Sequence, residues 1–168
     1  MGAEPWYCFA PYYADINTAL QNLREQEFRA GRYGQQINNE EFRAFWALND
    51  EPKASAEELI ETYGDVEAAI GAVFAESEPD GTASILDMFR VSDVPEPRAV
   101  SPVENLQDLI GTDQPTRQII ESMLIDEEQD SSASEEFWDS IGRGEGRYIV
   151  LFNDGNPVEI FFAGYSYD

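Results

Sequence analysis

Residues 147–166 read RYIVLFNDGNPVEIFFAGYS, and this stretch decides the fold. Two runs rich in β-branched and aromatic residues flank Asn153-Asp154-Gly155-Asn156. That turn chemistry joins adjacent antiparallel strands, because Asp and Gly accept the left-handed backbone of a tight hairpin turn. Tyr148, Val150 and Phe152 alternate onto one face, and Val158, Ile160 and Phe162 share one face of the partner strand. A hairpin with this much apolar surface belongs in a core. It needs further strands or helices to cover it.

Working outward, PWYCFAPYY (5–13) carries aromatics on both alternating faces, which suits a buried strand with Pro11 at its ragged end. Helical patterns fill the middle of the chain. Asp15 caps a helix that places Ile16, Leu20, Leu23 and Phe28 on one face and stops at Gly31. Asn38 or Asn39 opens a second helix holding Phe42, Phe45 and Trp46. Ser55 with Glu58 forms a capping box for a third, which ends near Gly64. Asp65 caps a fourth, with Val66, Ile70, Val73 and Phe74 inward. SILDMFRV (84–91) reads as a short strand whose opening also suits a helical turn. VPEPRAVSP (94–102) reads as a proline-rich connection. ENLQDLIG and PTRQIIESML are helical, and Ser134 caps a short helix with Phe137, Trp138 and Ile141. The expectation is one α+β domain over residues 1–168. In it a small antiparallel sheet, the N-terminal strand plus the C-terminal hairpin, is covered by several helices.

The 168 residues are 42% hydrophobic, enough to bury a core, yet 34 acids face 10 bases for a net charge of -24. The acid accumulates along the chain. Residues 1–50 carry 7 acids and 4 bases, residues 51–100 carry 12 and 3, and residues 101–168 carry 15 and 3. Such a field repels nucleic acid and anionic membranes. MGAEPWYCF has neither the basic nor the apolar region of a signal peptide, and no apolar run approaches the ~20 residues that span a bilayer. One cysteine, Cys8, leaves no intrachain disulfide. The expected setting is cytoplasmic.

Histidine is absent. That removes Ser-His-Asp and Cys-His nucleophiles and every zinc site that uses His. Cys8 sits among aromatics and reads as an apolar core residue. Gly142-Arg143-Gly144-Glu145-Gly146 lacks the Lys-Ser/Thr ending of a phosphate loop and enters a strand rather than a helix. With 34 acids, carboxylate pairs arise by accident, so their spacing singles out no catalytic dyad. No cofactor or metal site is expected.

DEEQDSSASEEFWD (126–139) is the densest acidic stretch, with seven carboxylates in fourteen positions and no base. It fails the EF-hand pattern for want of the turn glycine and the last glutamate. Asp126, Glu127, Glu128, Asp130, Glu135, Glu136 and Asp139 form a candidate partner-binding rim, and Trp138 is its candidate anchor. A solvated loop with a core tryptophan is the plain alternative. Self-repulsion at this net charge disfavours the compact state, so something selects for it. A cationic protein partner, mimicry of nucleic-acid phosphates and adaptation to high salt all fit. The scarcity of lysine suits the last, and the C-terminal clustering suits the first two.

YADINTALQNLREQEFRAGRY (13–33) and DGTASILDMFRVSD (80–93), about a fifth of the chain, resemble segments of small uncharacterised bacterial single-domain proteins. The resemblance implies a bacterial single-domain protein and assigns no catalytic residue. It makes Arg24, Arg29, Arg32 and Tyr33 positions to probe, with a salt-bridged helix terminus as their structural reading.

Two functional expectations follow. One is an acidic non-enzymatic binding protein, an inhibitor or immunity-type partner of a basic, nucleic-acid-acting protein. The other is a small enzyme or ligand-binding domain using carboxylates or arginines, its acidity reflecting a saline habitat. Either way, direct nucleic-acid binding is not expected. Gel-shift titration with single- and double-stranded DNA and RNA at ~0.15 M salt, where screening acts over about 8 Å, should show no complex. Tight binding without a bridging cation contradicts the charge argument.

Overall fold

The computed structural model describes residues 3–32, 55–76, 81–126 and 131–167. The expected hairpin is present as β4 (Gly146–Asn153) and β5 (Asn156–Tyr165), paired antiparallel from Asn153↔Asn156 to Gly146↔Gly164. Asp154 and Gly155 have φ of 49° and 75°, the two consecutive left-handed residues that a type I′ turn needs. β1 (Pro5–Pro11) adds antiparallel to the other side of β5, from Pro5↔Tyr165 to Pro11↔Glu159. β5 is therefore a central strand, and Ile160 to Gly164 are buried without interruption.

The fold class is α+β, but the sheet is mixed rather than antiparallel. Its order is β1-β5-β4-β3-β2, where β2 is Arg90–Val91 and β3 is Ala99–Pro102. β2 pairs parallel with β3, and β3 pairs parallel with β4. β3 lies inside the segment expected to be a proline-rich connection. Only four residues long, it escapes a reading of alternation, and Pro102 closes it. Residues 103–145 provide the long crossover that parallel pairing with β4 requires. The expected strand over 84–91 is shorter. Ile85–Asp87 form a 3-10 turn capped by Ser84, and only Arg90 and Val91 pair.

Helices cover both faces of the sheet. α1 (Ile16–Arg29) packs Ala19, Leu20 and Leu23 on Trp6, Ala10, Ile160 and Phe162. α2 (Ala56–Tyr63) and α3 (Val66–Glu76) extend that layer around Phe28, Ile70 and Leu86. On the other face, α4 (Leu106–Ile110), α5 (Arg117–Ile120), a π turn (Glu121–Ile125) and α6 (Ser132–Asp139) enclose Ile149, Leu151, Phe161 and Ala163. The expected caps are largely present. Asp15 accepts from Asn17 N at 3.2 Å, Asp65 accepts from Ala68 N at 2.8 Å, and Ser55 and Glu58 cap each other's backbone. The helix expected after Asn38 or Asn39, with Trp46, lies outside the described residues.

One expected core residue moves to the surface. A bulge at Leu151/Phe152 pairs Phe152 with Pro157 and leaves Val158 42% exposed. The carbonyl of Val158 is taken by Tyr12 N at 3.1 Å instead. At the other end of β5, the Trp6 ring lies across Gly164. A Cβ there would stand 2.3 Å from Trp6 Cζ2 and 2.6 Å from the Glu145 carbonyl. Gly164→Ala is expected to cost at least the ~1–3 kcal/mol of core overpacking, read as a lower denaturation midpoint. Gly155→Ala meets nothing within 4 Å and carries only its positive φ of 75°, a strain of about 1–2 kcal/mol. Equal losses in the two variants would mean that the Trp6 contact is not tight.

Candidate functional site

Asp126 ends the helical run that begins at α5. Its N–H bonds the Glu121 carbonyl at 2.9 Å, the five-residue spacing of a π turn. Such an ending leaves carbonyls without helical donors. Three side chains from the expected binding stretch supply them. Ser131 Oγ donates to the Met123 carbonyl at 2.8 Å, Ser134 Oγ to Leu124 at 3.2 Å, and Trp138 Nε1 to Leu124 at 2.9 Å. The N-cap of α6 is Ser131, not the expected Ser134.

Trp138 is thus tied into the fold. Half-buried, it packs edge-on against Phe137 and Tyr165 at centroid distances of 5.2 and 5.6 Å. It remains partly exposed, next to the exposed Glu135, Glu136 and Asp139. Burial first, and the Asp139 charge second, raise the pKa of the Tyr165 phenol. The rim divides. Glu136 lines a depression of about 270 Å³ with Glu104 and Arg147, while Asp126 lines a shallow groove of about 590 Å³ with Tyr7, Phe9 and Glu121. Glu127, Glu128 and Asp130 lie outside the described residues.

The arginines are largely consumed within the molecule. Arg24, fully buried, binds Glu67 at 2.6 Å and lies over the Phe89 ring at 5.1 Å. Arg29 meets Glu25 at 2.9 Å, and Arg32 meets Glu27 at 2.6 Å. The three arginines singled out by the resemblance therefore serve their own helix and its neighbour. Tyr33 lies outside the described residues. Arg90 pairs with Glu96, and Arg117 spans Glu121 and Glu159 at 2.9 and 2.8 Å. Buried Arg147 staples the Ser140 carbonyl at 2.8 Å and Glu145 at 3.1 Å.

Two groups with altered proton affinity invite a chemical reading. Cys8, half-buried at a cavity of about 360 Å³, has its thiol pKa raised by burial and then by Glu27, which keeps it protonated and poorly nucleophilic. Asp87 is 2% exposed. Its Oδ1 accepts from Thr82 N at 2.7 Å and Thr82 Oγ1 at 2.6 Å, while Oδ2 has no partner. Burial raises its pKa against these bonds. The carboxylate organises the 82–87 turn. A Cβ on Gly81 would stand 2.7 Å from Oδ2, so only glycine fits beside it. Among the described residues no group of three His, Cys, Asp or Glu side chains could hold a metal ion. Among them, too, no helix is long and apolar enough to cross a membrane.

No family model, curated protein or solved structure matches the chain.

The Asp87 environment predicts a direction for pH. The folded state holds this proton more tightly than the unfolded chain, whose Asp titrates near ~3.9. Asp87 therefore opposes folding increasingly as pH rises from about 4 through its raised folded value. Measured by chemical denaturation, wild type should lose stability relative to Asp87→Asn across that window. Parallel pH profiles would show that Asp87 is not a buried charge.

Proposed function

We propose that the chain is an acidic, non-enzymatic binding protein whose partner is a basic protein, as an inhibitor or immunity-type protein would bind a nucleic-acid-acting target. The observation that carries this reading is how the charge is used. Six arginines are already committed to internal carboxylates, whereas Asp126, Glu135, Glu136 and Asp139 stand at exposed positions around Trp138, Tyr165 and the Tyr7–Phe9 groove. The surplus carboxylates can be matched only from outside. Exposed like charges raise the association rate of an oppositely charged partner and exclude competing anions. The chemistry of the interior agrees: the cysteine is protonated, the buried aspartate is spent on a turn, and histidine is absent. A single cysteine fits a reducing, cytoplasmic setting.

The test begins with a basic protein recovered from the native host at low salt, identified, purified and titrated against the chain. Neutralising Asp126, Glu135, Glu136 and Asp139 to Asn or Gln should slow association on the order of tenfold at low salt and flatten its salt dependence. Trp138→Phe keeps an aromatic ring but loses the bond to Leu124 and part of the indole's packing. It should cost about 1 kcal/mol of stability and leave the association rate unchanged. An association rate insensitive to the four neutralisations makes the acidic rim a solvated surface and sinks the reading.

A further inference from the structure

β1 lies at the edge of the sheet, and among the described residues no strand pairs with its outer side. Antiparallel pairing sends the N–H and C=O of alternate residues to opposite sides. Tyr12 N bonds Val158 O at 3.1 Å, and Ser166 N bonds Glu4 O at 3.0 Å, so the even-numbered residues face β5. The N–H and C=O groups of Tyr7 and Phe9, with the carbonyls of Pro5 and Pro11, therefore point outward. The two prolines cannot donate and bracket the edge, leaving a window of about one short strand.

A depression flanks this window on each face. On the α1 side lies the 360 Å³ cavity, with Trp6 and Cys8 in its wall and Glu4 and Glu27 at its margin. On the other side lies the 590 Å³ groove, walled by the π turn, with Tyr7 and Phe9 beside Glu121 and Asp126. Tyr7 borders both and is 51% exposed. Around the edge stand five carboxylates (Glu4, Glu27, Glu121, Asp126 and Glu159) and two guanidiniums. Both are internally paired, Arg32 to Glu27 and Arg117 to Glu121 and Glu159.

We propose that the open edge of β1 docks an extended basic segment of the partner protein as an added strand. Main-chain hydrogen bonds to Tyr7 and Phe9 supply its register. Alternate side chains of an added strand point to opposite faces, so one set enters the Glu4–Glu27 cavity and the other the Glu121–Asp126 groove. Arginine or lysine suits both. A second copy of this chain is disfavoured as occupant, because pairing two edges would face the same carboxylates across the seam and join two bodies of charge -24. The proposal rests on the basic-partner reading only for the sign of the occupant's charge.

The test uses defined peptides and the full chain, labelled with ¹⁵N. The probe is a capped octapeptide repeating Arg-Arg-Val-Val, which presents arginine to both faces of the added strand. One control replaces Arg by Glu. A second keeps the charge but N-methylates alternate amides on each edge in turn, removing the strand's donors. The Arg-Val peptide should slow exchange of the Tyr7 and Phe9 amides at least tenfold, and both controls should lose this protection. Glu4→Gln with Asp126→Asn should weaken binding severalfold and flatten its loss with salt. Tyr7→Pro, a substitution that an edge strand tolerates where its N–H faces solvent, should weaken binding while the melting curve stays cooperative. Binding of the N-methylated peptides as tight as the parent, without protection of Tyr7 and Phe9, overturns strand addition while leaving a basic partner intact. No binding of any basic peptide at millimolar concentration and low salt overturns it also, as does concentration-dependent protection of the two amides with no peptide present, which identifies a second copy. Failure of the basic-partner reading registers separately, in the titration of the native partner against neutralisation of Glu135, Glu136 and Asp139 alone, none of which lines either depression beside β1.

Discussion

The pairing of β5 with β1 on one side and β4 on the other holds everything else in place. It brings residues 5–11 against residues 159–165, across almost the whole sequence, and it buries both faces of one strand. Phe161 and Phe162, adjacent in the chain, point to opposite cores, one under α6 and one under α1. Each fully buried large side chain contributes about 1.5–3 kcal/mol. The missing side chain at Gly164 leaves room for the Trp6 ring against the central strand.

Charge cohesion does not hold this molecule together. Most of its ion pairs are exposed at one or both partners, where each is worth ~0–1 kcal/mol. Two guanidiniums are buried, Arg147 at 7% against Glu145 at 20%, and Arg24 at 1% against Glu67 at 62%. Arg24 is the costlier of the two. Two of its nitrogens lack partners, and the Phe89 face offsets part of their desolvation. Its effect is to fix how α1 meets α3. With the arginines spent in this way, the apolar layers on either side of β5 must carry a net charge of -24.

The π turn connects that framework to the acidic face. It widens the helix after α5, turns Asp126 out beside Tyr7 and Phe9, and frees carbonyls that Ser131, Ser134 and Trp138 then claim. Residues that look like a polar linker thus close a helix end. Trp138 has a structural bond and partial exposure at once, so its neighbours rather than its own truncation separate docking from folding.

Local chemistry alone determined the turn at Asp154-Gly155, the caps at Asp15, Ser55 and Asp65, the two strands of the hairpin, and the exclusion of histidine chemistry. Each depends on backbone preference or on residues within a few positions of one another, which a linear pattern records. Tertiary structure decided the rest. β3 is only four residues and has no alternation of its own, so its parallel place beside β4 arises from the crossover that precedes β4. The bulge that leaves Val158 exposed is an irregularity of the β4–β5 register, while its carbonyl still pairs with Tyr12 beyond β1. The division of the acidic rim between two grooves depends on where α6 and the π turn lie against the sheet. The half-burial of Trp138 and the edge position of β1 among the described strands depend on what packs against them; no spacing in the sequence encodes them.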